Sequence, residues 1–77
     1  MNELQRITVS PDVMTGKPCV RGMRVTVATI LGLLAAGATY TEILHSYPFL
    51  ELPDIEACLE YAAWRVQEYE MPLVPTT

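Results

Sequence analysis

Residues 26–47 read TVATILGLLAAGATYTEILHSY, and this part of the sequence predicts two short helices in succession. Thr26 is a favourable N-cap, so we expect the first helix over about residues 27–36. Its apolar side chains recur at helical spacing and share one face: Val27, Ile30, Leu31, Leu34 and Ala35. Gly37 follows where left-handed C-cap residues are common, so the helix should end there.

The second helix of this stretch should be short. Thr41 is a candidate N-cap, and Glu42 after it suits the positive end of the helix dipole. We therefore predict a helix over about residues 42–46, with Pro48 ending it.

A third and longer helix is predicted over about residues 53–69, because Pro53 suits the first helical position. Its buried face should hold the apolar residues Ile55, Cys58, Leu59, Ala62 and Val66. Its outward face should hold Asp54, Glu56, Glu60, Trp64, Gln67 and Glu68. Three helices separated by short turns are the layout of a helix-turn-helix unit.

The region before the helices reads as short extended pieces joined by turns. Ile7-Thr8-Val9 is a brief β-prone run. Further on, residues 19–20 and 24–25 flank Gly22, which suits a positive φ in a tight turn or bulge. A short β-hairpin is therefore expected, and an isolated hairpin must pack on the helices or on a second chain.

These elements predict one domain over residues 1–77, since chains divide into several domains only at much greater length. Within it we expect a β-hairpin arm at residues 6–25, a three-helix core at 26–69 and a flexible tail at 70–77. The predicted fold class is mainly α: a three-helix, helix-turn-helix (homeodomain-like) bundle with a short N-terminal β-hairpin arm.

The composition excludes several classes of protein. Hydrophobic residues make up 51% of the chain and charged residues 18%, which is too apolar for a disordered chain. The longest apolar-leaning run, residues 25–38, is shorter than the ~20 residues of a membrane span. The first residues lack a basic start followed by an apolar run, so we expect no signal peptide. A cytoplasmic protein is expected, and the apolar excess in so small a domain favours a homodimer.

The sequence predicts no metal site, no cofactor and no enzymatic activity. Cys19, Cys58 and His45 do not have the spacing of metal ligands, and nothing orients the histidine towards a thiol as a catalytic dyad. The two cysteines are expected to be reduced thiols.

Charge is unevenly distributed along the chain. Residues 1–37 hold four basic and two acidic side chains, whereas residues 38–77 hold one basic and seven acidic ones. The net charge of −4 argues against strong non-specific binding of nucleic acid, which depends on neutralising phosphates. Because the first half of the chain is basic and the second half is acidic, an anion should contact the first half and a basic partner the second half.

The candidate nucleic-acid-binding residues are Lys17, Arg21 and Arg24, because guanidinium groups match phosphate geometry. A structural role is an equal alternative, in which Arg21 or Arg24 pairs with a carboxylate of the third helix such as Glu56 or Glu60.

The candidate partner-binding residues are Tyr61, Trp64 and Glu68, which share one side of the third helix and include typical interface anchors. The alternative is that Trp64 covers the core of its own chain. The acidic, proline-rich tail could likewise fold onto a partner or be an ordinary frayed terminus.

Residues 16–25 read GKPCVRGMRV and resemble the G-K-P-x-(I/V)-R-G-x-R-(I/V) signature of the family called domain of unknown function 433. The resemblance continues through residues 30–37, 42–44, 47–48 and 52–55, and covers about residues 6–66. It implies a homeodomain-like three-helix core behind a β-hairpin arm, and dimerisation. Many members look like antitoxins of type II toxin–antitoxin pairs, encoded beside a PIN-like ribonuclease toxin.

The leading hypothesis is therefore an antitoxin-like protein that neutralises a ribonuclease toxin through its acidic third helix and tail. As a dimer it would also bind its own operator DNA through Lys17, Arg21 and Arg24. One alternative is a stand-alone DNA-binding repressor, and another is a non-catalytic dimeric adaptor.

Overall fold

Three helices and a small two-stranded sheet make up the fold in a computed structural model of the chain, which describes residues 3–68. The helices are α1 (Val27–Ala35), α2 (Tyr40–Ser46) and α3 (Leu52–Glu68). The antiparallel strands are β1 (Ile7–Thr8) and β2 (Cys19–Val20), and 3₁₀ turns lie at Glu3–Arg6 and Met14–Gly16. The predicted mainly helical fold with a sheet near the N-terminus is confirmed.

Helix α1 begins and ends where its sequence predicts. The Thr26 hydroxyl accepts a hydrogen bond from the Thr29 amide at 3.1 Å, which satisfies a free donor of the first turn. Gly37 has a φ of 98°, and its amide donates to the Leu34 carbonyl at 3.0 Å. The Ala38 amide donates to the Leu33 carbonyl at 3.0 Å, which completes a Schellman C-cap.

Helix α2 begins two residues earlier than predicted, and Thr41 is not its cap. Thr39 is the N-cap: its hydroxyl accepts from the Glu42 amide at 3.1 Å, while the Glu42 carboxylate accepts from the Thr39 amide at 2.8 Å. This reciprocal capping box satisfies two donors, whereas capping at Thr41 would satisfy one. Thr41 lies exposed inside the helix.

Helix α3 begins at Leu52, one residue before the predicted start, and its buried face differs from the predicted one. Asp54 was expected to point outward, but it is 1% exposed. Leu59 and Val66 were expected in the core, but they are 40% and 69% exposed. The N-terminal segment, residues 3–9, packs along α3 and covers the neighbouring face, which carries Tyr61. The predicted end at residue 69 and the tail at 70–77 lie outside the described residues.

The two-stranded sheet pairs β1 with β2, so that Ile7 lies opposite Val20. The expected pairing across Gly22 is present in part: Cys19 forms an isolated antiparallel bridge with Thr26, and the Val20 amide donates to the Val25 carbonyl at 3.0 Å, but residues 24–25 form no strand. A tight turn does follow β2, because the Met23 amide donates to the Val20 carbonyl at 2.8 Å. Its central residues, Arg21 and Gly22, have φ values of 45° and 73°, as in a type I′ turn. The positive φ predicted for Gly22 is confirmed.

The core lies where the sheet, the turn and the three helices meet. Its buried members are Val20, Val27, Ile30, Ile43, Leu50, Ile55 and Cys58. Among the described residues, no helix has both the length and the apolar character needed to cross a bilayer.

Candidate functional site

A buried carboxylate at the start of α3 organises the surface around it. One oxygen of Asp54 accepts from Arg6 Nη1 at 2.9 Å and from Arg21 Nε at 3.0 Å. The other accepts from Arg21 Nη2 at 2.8 Å and from the Glu51 amide at 2.8 Å. Arg21 therefore forms a bidentate ion pair with Asp54. Its Nη2 also donates to the Phe49 carbonyl at 3.0 Å.

These hydrogen bonds decide the ionisation of the cluster. Burial alone would raise the pKa of Asp54, but hydrogen bonds from Arg21, the Glu51 amide and Arg6 outweigh burial and hold that pKa below its usual value. Hydrogen bonds to Glu51 and Asp54 raise the pKa of Arg6, and those to Asp54 raise the pKa of Arg21. Asp54 is thus a carboxylate, and both arginines are cations, at neutral pH.

Two further hydrogen bonds hold the N-terminal segment to the turn after β2, which Arg21 in turn joins to α3. The Arg21 amide donates to the Arg6 carbonyl at 2.6 Å, and the Gly22 amide donates to the Thr8 hydroxyl at 2.7 Å. The Arg-Gly pair of the 16–25 signature therefore has a structural use, since it locks the turn to β1 and to Asp54. The alternative in which Arg21 pairs with a carboxylate of the third helix is confirmed, but the carboxylate is Asp54 and not Glu56 or Glu60.

The three basic candidates do not form one cluster of equivalent groups. Arg21 is engaged with Asp54, whereas Lys17 and Arg24 are exposed and make no ion pair within the described part of the chain. Lys17 and Arg24 are the members of the trio whose charge is free to meet an anion.

Two of the three partner-binding candidates meet in an apolar groove beside α3. The rings of Tyr61 and Trp64 lie with centroids 5.8 Å apart, and Trp64 is 46% exposed. Across from them, the N-terminal segment contributes Leu4, Ile7 and Val9 to a groove of about 230 Å³. We call these five residues the α3 groove. The side chain of Glu68, the third candidate, lies outside the described residues.

The α3 groove combines a large exposed indole with a nearly continuous apolar lining. Val9 on its far side is 61% exposed, and the Arg65 guanidinium lies 5.8 Å from the centre of the Trp64 ring. Exposed aromatic side chains set in apolar surroundings are typical anchors of protein interfaces. Sequence reasoning found Tyr61 and Trp64 from their helical spacing, but it missed the N-terminal wall because residues 4–9 are remote in sequence.

Residues that were considered for chemistry remain apart from this surface. Cys19 and Cys58 are free thiols buried in the core, and burial raises the pKa of Cys58 to about 11, so it is not a reactive thiolate. His45 is exposed in the last turn of α2. Over residues 3–68, no group of three potential metal ligands comes together.

Met23 in the turn after β2 and Leu33 in α1 are half-buried against the core. Leu33 also lines a cavity of about 370 Å³ between α1 and α2, together with Gly37 and Glu42.

The family described as "Protein of unknown function (DUF433)" matches residues 7–62. "Uncharacterized protein y4eO" of Sinorhizobium fredii is 38% identical over 56 residues, which are 73% of this chain and 25% of that protein. A crystal structure of a DUF433 member protein from Anabaena variabilis aligns with a TM-score of 0.76 and 28% identity, over 82% of this chain and 62% of that one. The chain thus spans a quarter of the curated relative that it matches.

Proposed function

Because this chain belongs to the DUF433 family, we propose that it is a regulatory binding protein, an antitoxin-like component that neutralises a PIN-like ribonuclease toxin. The observation that carries the proposal is the α3 groove, in which Trp64 stands 46% exposed on an otherwise acidic helix. A monomer that needed no partner would gain stability by covering this indole.

The proposed arrangement of α1, α2 and α3 is homeodomain-like, with a helix-turn-helix formed by the last two helices. In a dimer, two such units would contact operator DNA. Lys17 and Arg24 support this part of the proposal because they are exposed and unpaired within the described residues. A stand-alone repressor would use the same two residues and would have no protein partner.

Co-purification tests the proposal. The tagged chain is expressed with the product of the neighbouring reading frame of its native operon, and ribonuclease activity is measured in the eluate. We expect a stable, inactive complex that is lost on Trp64→Ala or on truncation after Glu68.

Phe49→Ala is the matched control, because Phe49 is 51% exposed but lies outside the α3 groove. The complex should survive this change. A neighbouring product that does not bind, together with a sequence-specific DNA shift that Arg24→Ala abolishes, would replace the antitoxin proposal by the repressor.

A further inference from the structure

Two carboxylates extend along α3 from the edge of the α3 groove. Glu60 lies four residues before Trp64, and Glu56 lies four residues before Glu60, so the three side chains follow one line along the helix. Both glutamates are exposed, and neither makes an ion pair within residues 3–68. We call Glu56 and Glu60 the acidic row.

The nearby arginines are already used by other groups. Arg6 and Arg21 are held by the buried Asp54, with Arg6 also bound to Glu51 at 2.9 Å. The Arg65 guanidinium lies against the Trp64 ring. The acidic row therefore faces solvent with its charge uncompensated, directly beside apolar surface.

We propose that the α3 groove and the acidic row together bind an amphipathic segment of a partner protein, whose apolar side chains enter the groove while its lysine or arginine side chains meet Glu56 and Glu60. The inference rests on the proposed function, because it names the chemistry of the partner at the same surface. Charge complementarity favours this occupant, because apolar side chains bind favourably in the α3 groove and positive side chains bind favourably beside the carboxylates of the acidic row.

The other occupants fit less well. A second copy of the chain carries a net charge of −4 and would bring its own acidic α3 towards this one. A nucleic acid would place phosphates against two carboxylates and bases against an apolar wall, and Arg65, the arginine beside the groove, already lies over the Trp64 ring. Neither objection applies to a partner segment that carries both basic and apolar side chains.

The single tryptophan of the chain makes the site directly observable. Three synthetic helical peptides serve as probes: one with a leucine face flanked by lysines, the same peptide with glutamate for lysine, and the same lysine peptide with serine for leucine. Only the leucine–lysine peptide should shift the Trp64 emission of the full-length protein to shorter wavelength, with an affinity that falls as salt rises.

Variants then locate the charge, with binding followed by the anisotropy of a labelled peptide. Glu60→Lys should weaken binding of the leucine–lysine peptide by roughly five- to tenfold, because a favourable pair becomes a repulsive one. The same substitution should strengthen binding of the glutamate peptide. Asp12→Lys changes the charge equally on an exposed loop and should leave both affinities unchanged.

Equal binding of the lysine and glutamate peptides would overturn the inference. So would a dimer, seen by sedimentation, that dissociates on Trp64→Ala, since a second copy would then occupy the groove. Neither result bears on whether a ribonuclease co-purifies, so failure of this inference is distinguishable from failure of the proposed function.

Discussion

Asp54 is the residue on which the attachment of the N-terminal segment to the helices depends. An isolated buried carboxylate is strongly unfavourable, but this one accepts four hydrogen bonds, three of them from charged donors. Its donors belong to the N-terminal 3₁₀ turn, the turn after β2 and the residue before α3. One side chain thus ties together three segments that are distant in sequence.

Replacing Asp54 by Asn should lower the stability at pH 7 and change its dependence on pH. The pKa of Asp54 is lower in the folded chain than in the unfolded one, so its ionised form contributes stability above the unfolded value. That contribution is lost as the pH falls from about 4 through the folded pKa. We expect Asp54→Asn to lose about 2–3 kcal/mol at pH 7 and progressively less relative to wild type below pH 4.

Urea unfolding of both proteins between pH 7 and pH 3 measures this difference. Glu56→Gln is the matched control, because it removes an exposed carboxylate from the same helix and should change the free energy of unfolding by less than about 0.5 kcal/mol. A constant difference between wild type and Asp54→Asn across this range of pH would contradict the assigned ionisation.

At the scale of the elements, the helix ends are specified by side chains that bond to their own backbone. The clearest case is α2, where Thr39 and Glu42 satisfy each other's amides. Helix α2 has only seven residues, so the loss of these two hydrogen bonds would remove a large share of the interactions that stabilise its first turn.

Thr39→Ala should therefore destabilise the chain by about 1 kcal/mol, which corresponds to a fall in Tm of roughly 4–8 °C for a domain of this size. Thr41→Ala is the control, since Thr41 is an exposed residue in the first turn of α2, makes no capping bond there, and alanine is the better helix former. Thermal unfolding followed by circular dichroism compares the two. If Thr41→Ala were the more harmful change, the helix would begin at the later position.

At the scale of the whole molecule, the N-terminal segment and the helices should unfold together. The segment contributes one wall of the α3 groove, and it is bonded to α3 through the Asp54 cluster. With so thin a core, neither part has enough buried apolar surface to stay folded alone.

Coincident transitions are therefore expected when urea unfolding is followed by Trp64 fluorescence and by far-ultraviolet circular dichroism. The first probe reports the α3 groove, and the second reports the three helices. A fluorescence transition at a lower urea concentration than the circular dichroism transition would contradict this. It would show that the N-terminal segment detaches from α3 before the helices unfold.

The local features of this protein follow directly from its sequence. The N-cap at Thr26, the C-cap at Gly37 and the positive φ of Gly22 follow from contacts within a few residues, so propensity and spacing were enough to predict them. The same is true of the three helices and of the pairing of Tyr61 with Trp64 on one face, because helical periodicity alone places them together.

The burial of individual α3 residues, by contrast, depends on contacts with segments that are distant in sequence. The amphipathic pattern places Leu59 and Asp54 on opposite sides by polarity, yet the aspartate is buried and the leucine is exposed. The reason is that Arg6 and Arg21, 48 and 33 residues away, supply the hydrogen bonds that offset the burial of a charge. The α3 groove likewise requires a wall from the N-terminal segment, and contacts between segments so far apart in sequence leave no periodic signal along the chain.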